Sequence, residues 1–145
     1  MPSIFTRIVN GEIPCYKVAE DDQFLAFLDI NPLAKGHTLV IPKKETDYIF
    51  GIEDKEYGDL FLFAKKVALA VEKVVPCKRI GIAVLGLEVA HAHIHLVPIN
   101  TVYDIDFSKP KLVLSKEEFL ELWRRSVRNS PGSLSKAGYP CPRCN

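Results

Sequence analysis

His91, His93 and His95 stand at every second position of Ala90-His91-Ala92-His93-Ile94-His95-Leu96-Val97-Pro98, with Ala90, Ala92, Ile94 and Leu96 filling the places around them. A β-strand sends alternate side chains to opposite faces. As a strand, the segment has one face of imidazole and one of aliphatic carbon. As a helix, His91 and His95 share a face while His93 points nearly the other way. A strand is therefore expected, beginning near Glu88 or Val89 and ending at Pro98, with its imidazoles lining a cleft. The rings would lie roughly 7 Å apart, twice the ~3.4 Å rise per residue. Such a row admits three uses. It could be structural, although three histidines opposite a fully apolar face are hard to explain that way. It could hold a metal, since three neutral imidazoles suffice for a catalytic zinc. Or imidazole could act as nucleophile and acid–base group. Free imidazole has a pKa of about 6.5 and is mostly unprotonated near pH 7. A covalent intermediate would split one hard displacement into two easier ones. The middle ring, His93, has a potential hydrogen-bond donor on each side to meet developing charge.

The pattern His-φ-His-φ-His-φ-φ, with φ apolar, is matched at every position from His91 to Val97 and resembles the signature of the histidine triad (HIT) superfamily. Three further segments are similar to its Hint-like nucleotide-hydrolase branch. Ser3-Ile4-Phe5 followed by Gly11-Glu12-Ile13-Pro14 looks like the opening strand and turn. Asp21-Asp22 through Phe27-Leu28-Asp29-Ile30-Asn31-Pro32 looks like the nucleoside pocket. Gly36 to Lys44 looks like the next strand. The likeness spans about residues 3 to 98. It implies that His93 attacks the α-phosphorus of a purine nucleotide and forms a nucleotidyl-histidine intermediate, which water hydrolyses. His95 would face the phosphate or the leaving group, and His91 would order the site. His37, the remaining histidine of four, matches a fourth active-site histidine. Asp29 matches the residue that binds the ribose hydroxyls, as a carboxylate with two acceptor oxygens can. Ile4, Phe5, Phe27 and Ile30 match the apolar positions that sandwich the base. A nucleotide phosphoramidate is the first substrate implied, a dinucleoside polyphosphate the second. A nucleotide-binding module with little turnover is the third possibility. The resemblance also implies a homodimer and no cofactor.

The chain departs from the family pattern at three places. Many relatives hold a structural zinc with an N-terminal CxxC and a distal histidine. Ser3, Thr6 and Glu45 stand at those positions, and none replaces the ligands zinc prefers. No metal is expected. The loop before the triad is short, and Leu87 and Glu88 replace the glutamine and hydroxyl residues of relatives. A carboxylate near phosphate is repulsive, so Glu88 is read as a group for a cationic leaving group such as an amine. Beyond Pro98 nothing matches closely enough to carry a role over.

The elements that must position these residues follow from hydrophobic period and turn chemistry. The chain has 145 residues, enough for one domain with a sizeable core. With 26% charged and 48% hydrophobic residues and a net charge of +1, nothing argues for a nucleic-acid groove. No apolar run is long enough to cross a bilayer, and no secretory signal is visible, so a cytoplasmic address is expected. Residues 3–9 form a short apolar segment, read from its own residues as a helical turn, before the turn Asn10-Gly11. Strands are expected at 16–20, 24–28, 37–41 and 80–85, the first three as an antiparallel meander. Tyr57, Leu60, Phe61, Ala64, Val67, Ala68 and Val71 keep helical rhythm, which predicts a main helix from Asp54, as N-cap, to Val75. Asn100 to Pro110 reads as a loop. Ser115-Lys116-Glu117-Glu118 has capping-box spacing and opens a helix over 115–129. The whole suits an α+β, HIT-like fold, with an antiparallel sheet of about five strands and two helices. Residues 1–129 form the domain. Residues 130–145, with Cys141 and Cys144 in CxxC spacing, read as a tail or an expression remnant. Cys15 and Cys77 are expected to be buried thiols.

Overall fold

Asp21 turns the chain between the first two strands. Its Oδ1 accepts the backbone N–H groups of Gln23 at 2.8 Å and Phe24 at 2.7 Å. This folds β1 (Lys17–Glu20) antiparallel onto β2 (Phe24–Leu28), and β2 pairs at all five positions with β3 (Thr38–Pro42). The computed structural model describes residues 2–130, so Cys141, Cys144 and the proposed tail beyond Ser130 lie outside the described residues. After β3, the long helix, which we number α2 (Asp54–Val74), carries the chain across one face to β4 (Arg79–Ala83). β5 (Ile94–Ile99) then returns between them, antiparallel to both. The sheet order is β1-β2-β3-β5-β4. Two further helices complete the fold: α1 (Ile4–Val9) and α3 (Lys116–Asn129).

The two faces of the sheet are covered differently. On one, Ala26, Val40, Ile94 and Leu96 pack against Leu60, Ala64, Val67 and Val71 of α2 and Phe119, Leu122 and Trp123 of α3. Burial of each large aliphatic side chain here contributes about 1.5–3 kcal/mol. Ser115 caps α3 with the expected reciprocal pair: its Oγ accepts from Glu118 N–H, and Glu118 accepts from Ser115 N–H. Trp123 Nε1 donates to the Lys17 carbonyl at 2.7 Å and fastens α3 to the β1 edge. On the opposite face, Leu25, Phe27, Leu39 and Ile41 pack under Phe5 and Ile8 of α1. The histidines share this second face.

Several expected boundaries move. The opening segment is the helix α1, as its own residues indicated, and not a strand. Ser3 Oγ caps it by accepting from Thr6 N–H at 3.0 Å. At the start of α2 the N-cap is Glu53, which makes no side-chain cap, while Asp54 already lies inside the helix. β4 runs over 79–83 rather than 80–85. β5 starts at Ile94, so His91 and His93 precede the strand. The reason lies in β3. In register, Pro42 would face Ala92, but proline has no N–H to continue the ladder. The Ala92 N–H donates instead to Thr46 O at 2.7 Å. The loop after β5 contains a 3-10 turn at Val102–Ile105, capped by Thr101 and Asp104. Cys15 is buried, but Cys77 is only partly so.

Candidate active site

Strand pairing sets the floor of the site. Phe27 pairs with Leu39, Leu39 with His95, and His95 with Ala83, so these residues form one row across the sheet. Side chains in such a row share a face. His93 and His91 continue on that face although the ladder has ended, while Ala92 and Ile94 enter the core beneath α2. The expected alternation of faces therefore holds beyond the strand itself. The ring spacing does not: the His93 and His95 centroids are 4.8 Å apart at 67°, because the rings lean together. Phe5, on α1, stands edge-on to His93 at 5.0 Å and to His91 at 5.8 Å.

The hydrogen bonds fix which nitrogen of each ring carries the proton. Leu33 N–H donates to His37 Nδ1 at 3.0 Å. A neutral His37 then bears its proton on Nε2, and this N–H meets His95 Nδ1 at 3.0 Å. His95 accepts there, so its own proton sits on Nε2. His93 is the reverse case. Its Nδ1 lies 2.8 Å from the His91 carbonyl oxygen, which can only accept. Nδ1 is therefore protonated, and the Nε2 lone pair is free, with no partner among the described residues. His91 Nε2 donates to Pro42 O at 2.7 Å, and its Nδ1 takes a hydrogen bond from Ser3 Oγ at 2.8 Å. The site thus presents a lone pair on His93 next to an N–H on His95.

Burial favours the neutral form of His37, His91 and His95. Desolvation, helped by His95, Lys111 and His93, pulls His37 down to about 3. Desolvation, with His93 and Lys111, pulls His95 down to about 4. Burial also lowers His91. The Asp29 carboxyl is raised by burial, against the Asn31 N–H that it accepts and the nearby charge of His93 and Lys111. Its Oδ2 lies 3.6 Å from His37 Nε2.

All four histidines are buried, but His93, 6% exposed, and His95, 8% exposed, keep more contact with solvent than His37 and His91. Phe5 and Phe27 touch at 5.7 Å within the small apolar cluster. Ile4 and Ile30 are about half exposed, which leaves apolar surface open to a flat ligand. Glu88 is exposed and makes no hydrogen bond or ion pair among the described residues.

Two groups of residues invite a metal, and neither fits. Asp29, His37 and His95 offer ligand atoms within 4.8 Å of one another. The Leu33 N–H, however, occupies the lone pair of His37 Nδ1, which forces a proton onto the Nε2 that would have to ligate. Ser3, Thr6, Glu45 and His91 also converge. They form a hydrogen-bonded cluster in which Glu45 Oε1 accepts from Ser3 N–H at 2.6 Å and Thr6 Oγ1 at 2.7 Å. These bonds hold the Glu45 carboxyl at about 2. Neutral hydroxyls are poor partners for zinc.

Two residues near the histidines had no signal in the sequence. Phe107 stands edge-on to His95 at 4.6 Å and to His37 at 6.2 Å, and the charge of Lys111 reaches both rings. They lie in a loop whose placement only the fold reveals.

Comparison with known proteins places these features in context. The family model described as HIT domain matches residues 10–102. A HIT-like protein of Borreliella burgdorferi is 40% identical over 127 residues, covering 82% of this chain and 91% of that one. An adenosine 5'-monophosphoramidase of Schizosaccharomyces pombe is 38% identical over 125 residues, covering 84% and 93%. Among solved structures, a Hit-like protein from Bartonella henselae described as involved in cell-cycle regulation superposes with a TM-score of 0.75 at 28% identity, over 88% of this chain and 95% of that one.

Proposed function

This chain belongs to the HIT family, and from that premise we propose that it is a nucleotide hydrolase acting at the α-phosphate of a purine nucleotide, with a phosphoramidate as first substrate. The observation that carries the reading is the proton on His93 Nδ1, held by the His91 carbonyl. It leaves the Nε2 lone pair directed at incoming phosphorus. In the first step, Nε2 forms a bond to phosphorus while the bond to the leaving atom breaks. The leaving group departs with that electron pair, and an amine takes up a proton from the solvent as it leaves. The His95 Nε2–H donates a hydrogen bond to the phosphate or leaving atom, which stabilises the charge that develops there. In the second step, water attacks phosphorus and gives up a proton to the solvent, while the phosphorus–nitrogen electrons return to His93. Asp29 binds the ribose hydroxyls, and Ile4, Phe5, Phe27 and Ile30 bound the base. Glu88, exposed in the loop before the histidines, would meet a cationic leaving group such as the amine of a phosphoramidate.

The monophosphoramidase relative supports the reaction class, and the half-exposed Ile4 and Ile30 support a base pocket. A homodimer and a cytoplasmic address are part of the same proposal. No helix among the described residues is long and apolar enough to cross a membrane. The test is turnover of a fluorogenic adenosine phosphoramidate with and without chelator. We expect turnover that survives chelation and falls by at least about 10³-fold in His93→Ala. Binding without turnover would instead mark a nucleotide-binding module, and loss on chelation a metal-dependent hydrolase.

A further inference from the structure

The segment between β5 and α3 is strapped across the His37–His95 edge of the cluster. At its start, Asp104 accepts the N–H groups of Asn100 at 2.7 Å and Thr101 at 2.8 Å. Asp106 Oδ1 then takes the Ser108 N–H at 2.9 Å and its hydroxyl at 2.6 Å, closing a turn that presents Phe107 to the two rings. At its far end, Leu112 N–H donates to Pro32 O at 2.8 Å, tying the strap to the loop that carries Asp29. Lys111 sits between these anchors. Its Nζ donates to Phe107 O at 2.8 Å and, more weakly, to Lys109 O at 3.3 Å, and lies 5.7 Å over the Phe107 ring.

An ammonium has three N–H donors, and two of these are committed to the strap's own carbonyls. The third has no partner among the described residues, and Lys111 makes no direct salt bridge among them, although Asp29 and Asp106 lie near enough to feel its charge. The ammonium is thus held in place with one donor to spare. The loop before the histidines offers no cation: Leu85 and Leu87 are exposed apolar residues and Glu88 is an acid. An anion extending from the phosphate at His93 toward this edge meets one fixed positive group, Lys111.

We propose that the Lys111 ammonium binds a second phosphate of the substrate, beyond the one attacked by His93, so that the site prefers nucleotides whose α-phosphate carries a further anionic group. This rests on the nucleotide-hydrolase reading and narrows it toward phosphoanhydrides. Phe107 is the platform that holds the ammonium beside His95.

The test is calorimetric titration of the full chain with AMP and with ADP at low salt. Wild type should bind ADP about tenfold more tightly than AMP, as one charge-assisted contact would give. Lys111→Met keeps the aliphatic stem and should bring that ratio close to one. Lys111→Arg should keep the preference, and Lys111→Glu should reverse it. Added salt should erode it in wild type. An ADP-to-AMP ratio equal in wild type and Lys111→Met overturns the proposal while leaving the nucleotide reading intact. Failure of wild type to bind either nucleotide overturns both.

Discussion

His37 and His95 are neutral because each has lost its water and each lies against another imidazole. That neutrality has a cost in acid. In the unfolded chain both rings take up a proton near the ordinary value of 6.5, but in the folded chain only at about 3 and about 4. Between those values the unfolded state binds more protons, so stability is fully present above about pH 6.5 and falls as the pH drops. Each ring contributes a slope of about 1.4 kcal/mol per pH unit in that window. His91, also lowered by burial, acts in the same direction. Denaturant midpoints should therefore decline steeply from pH 6.5 to pH 5, and His37→Phe should remove about one proton from that slope. A midpoint flat over this range contradicts the neutral cluster. At this scale the sequence was informative about faces and silent about protons. Alternation alone puts His91, His93 and His95 on one side. Which nitrogen each ring offers depends on Leu33 N–H, on the Pro42 carbonyl and on a second histidine 58 residues away, and no local pattern encodes these.

The turn before β3 delivers His37. Gly36 has φ +92°, and a Cβ there would lie 2.6 Å from Val75 Cγ2 and 3.3 Å from Pro98 Cγ. Both the backbone conformation and the space demand glycine. Gly36→Ala should cost about 2–4 kcal/mol in chemical denaturation and should weaken activity more than Gly11→Ala. The Gly11 site has positive φ but open surroundings. Equal effects of the two substitutions would mean that the close packing of Gly36 is unimportant. Elements with a strong local signal were legible in advance: β2 from its continuous apolar run, α3 from its capping box, the body of α2 from its period. The start of β5 was not, because the ladder ends at Pro42 of a neighbouring strand. The strap from 100 to 112 was not either. It has little periodicity, and its contacts to His95 and Pro32 are set by tertiary packing.

On the scale of the whole molecule, the two sheet edges differ. α3 covers β1 through Trp123, whereas β4 has a strand partner on one side only among the described residues. Along and beside β4, Ile82 is 54% and Leu85 52% exposed. An uncovered apolar edge is a template for pairing with another chain. The proposed homodimer would use it, so Ile82→Glu should shift the sedimentation coefficient from dimer to monomer while far-UV circular dichroism stays native. A wild-type chain that sediments as a monomer at micromolar concentration contradicts this part of the account. The β4 edge had no signature in periodicity or composition, since an edge is defined only once the strand order is known. The central claim concerns His93 and can be tested without any rate. The protein is mixed with a slowly hydrolysed nucleotide substrate, quenched within the first turnover, digested and analysed by mass spectrometry. The account predicts a nucleotidyl group on the peptide bearing His93, labile to acid as a phosphorus–nitrogen bond should be and absent in His93→Ala. A nucleotidyl group on any other residue, or undiminished turnover in His93→Ala, contradicts it.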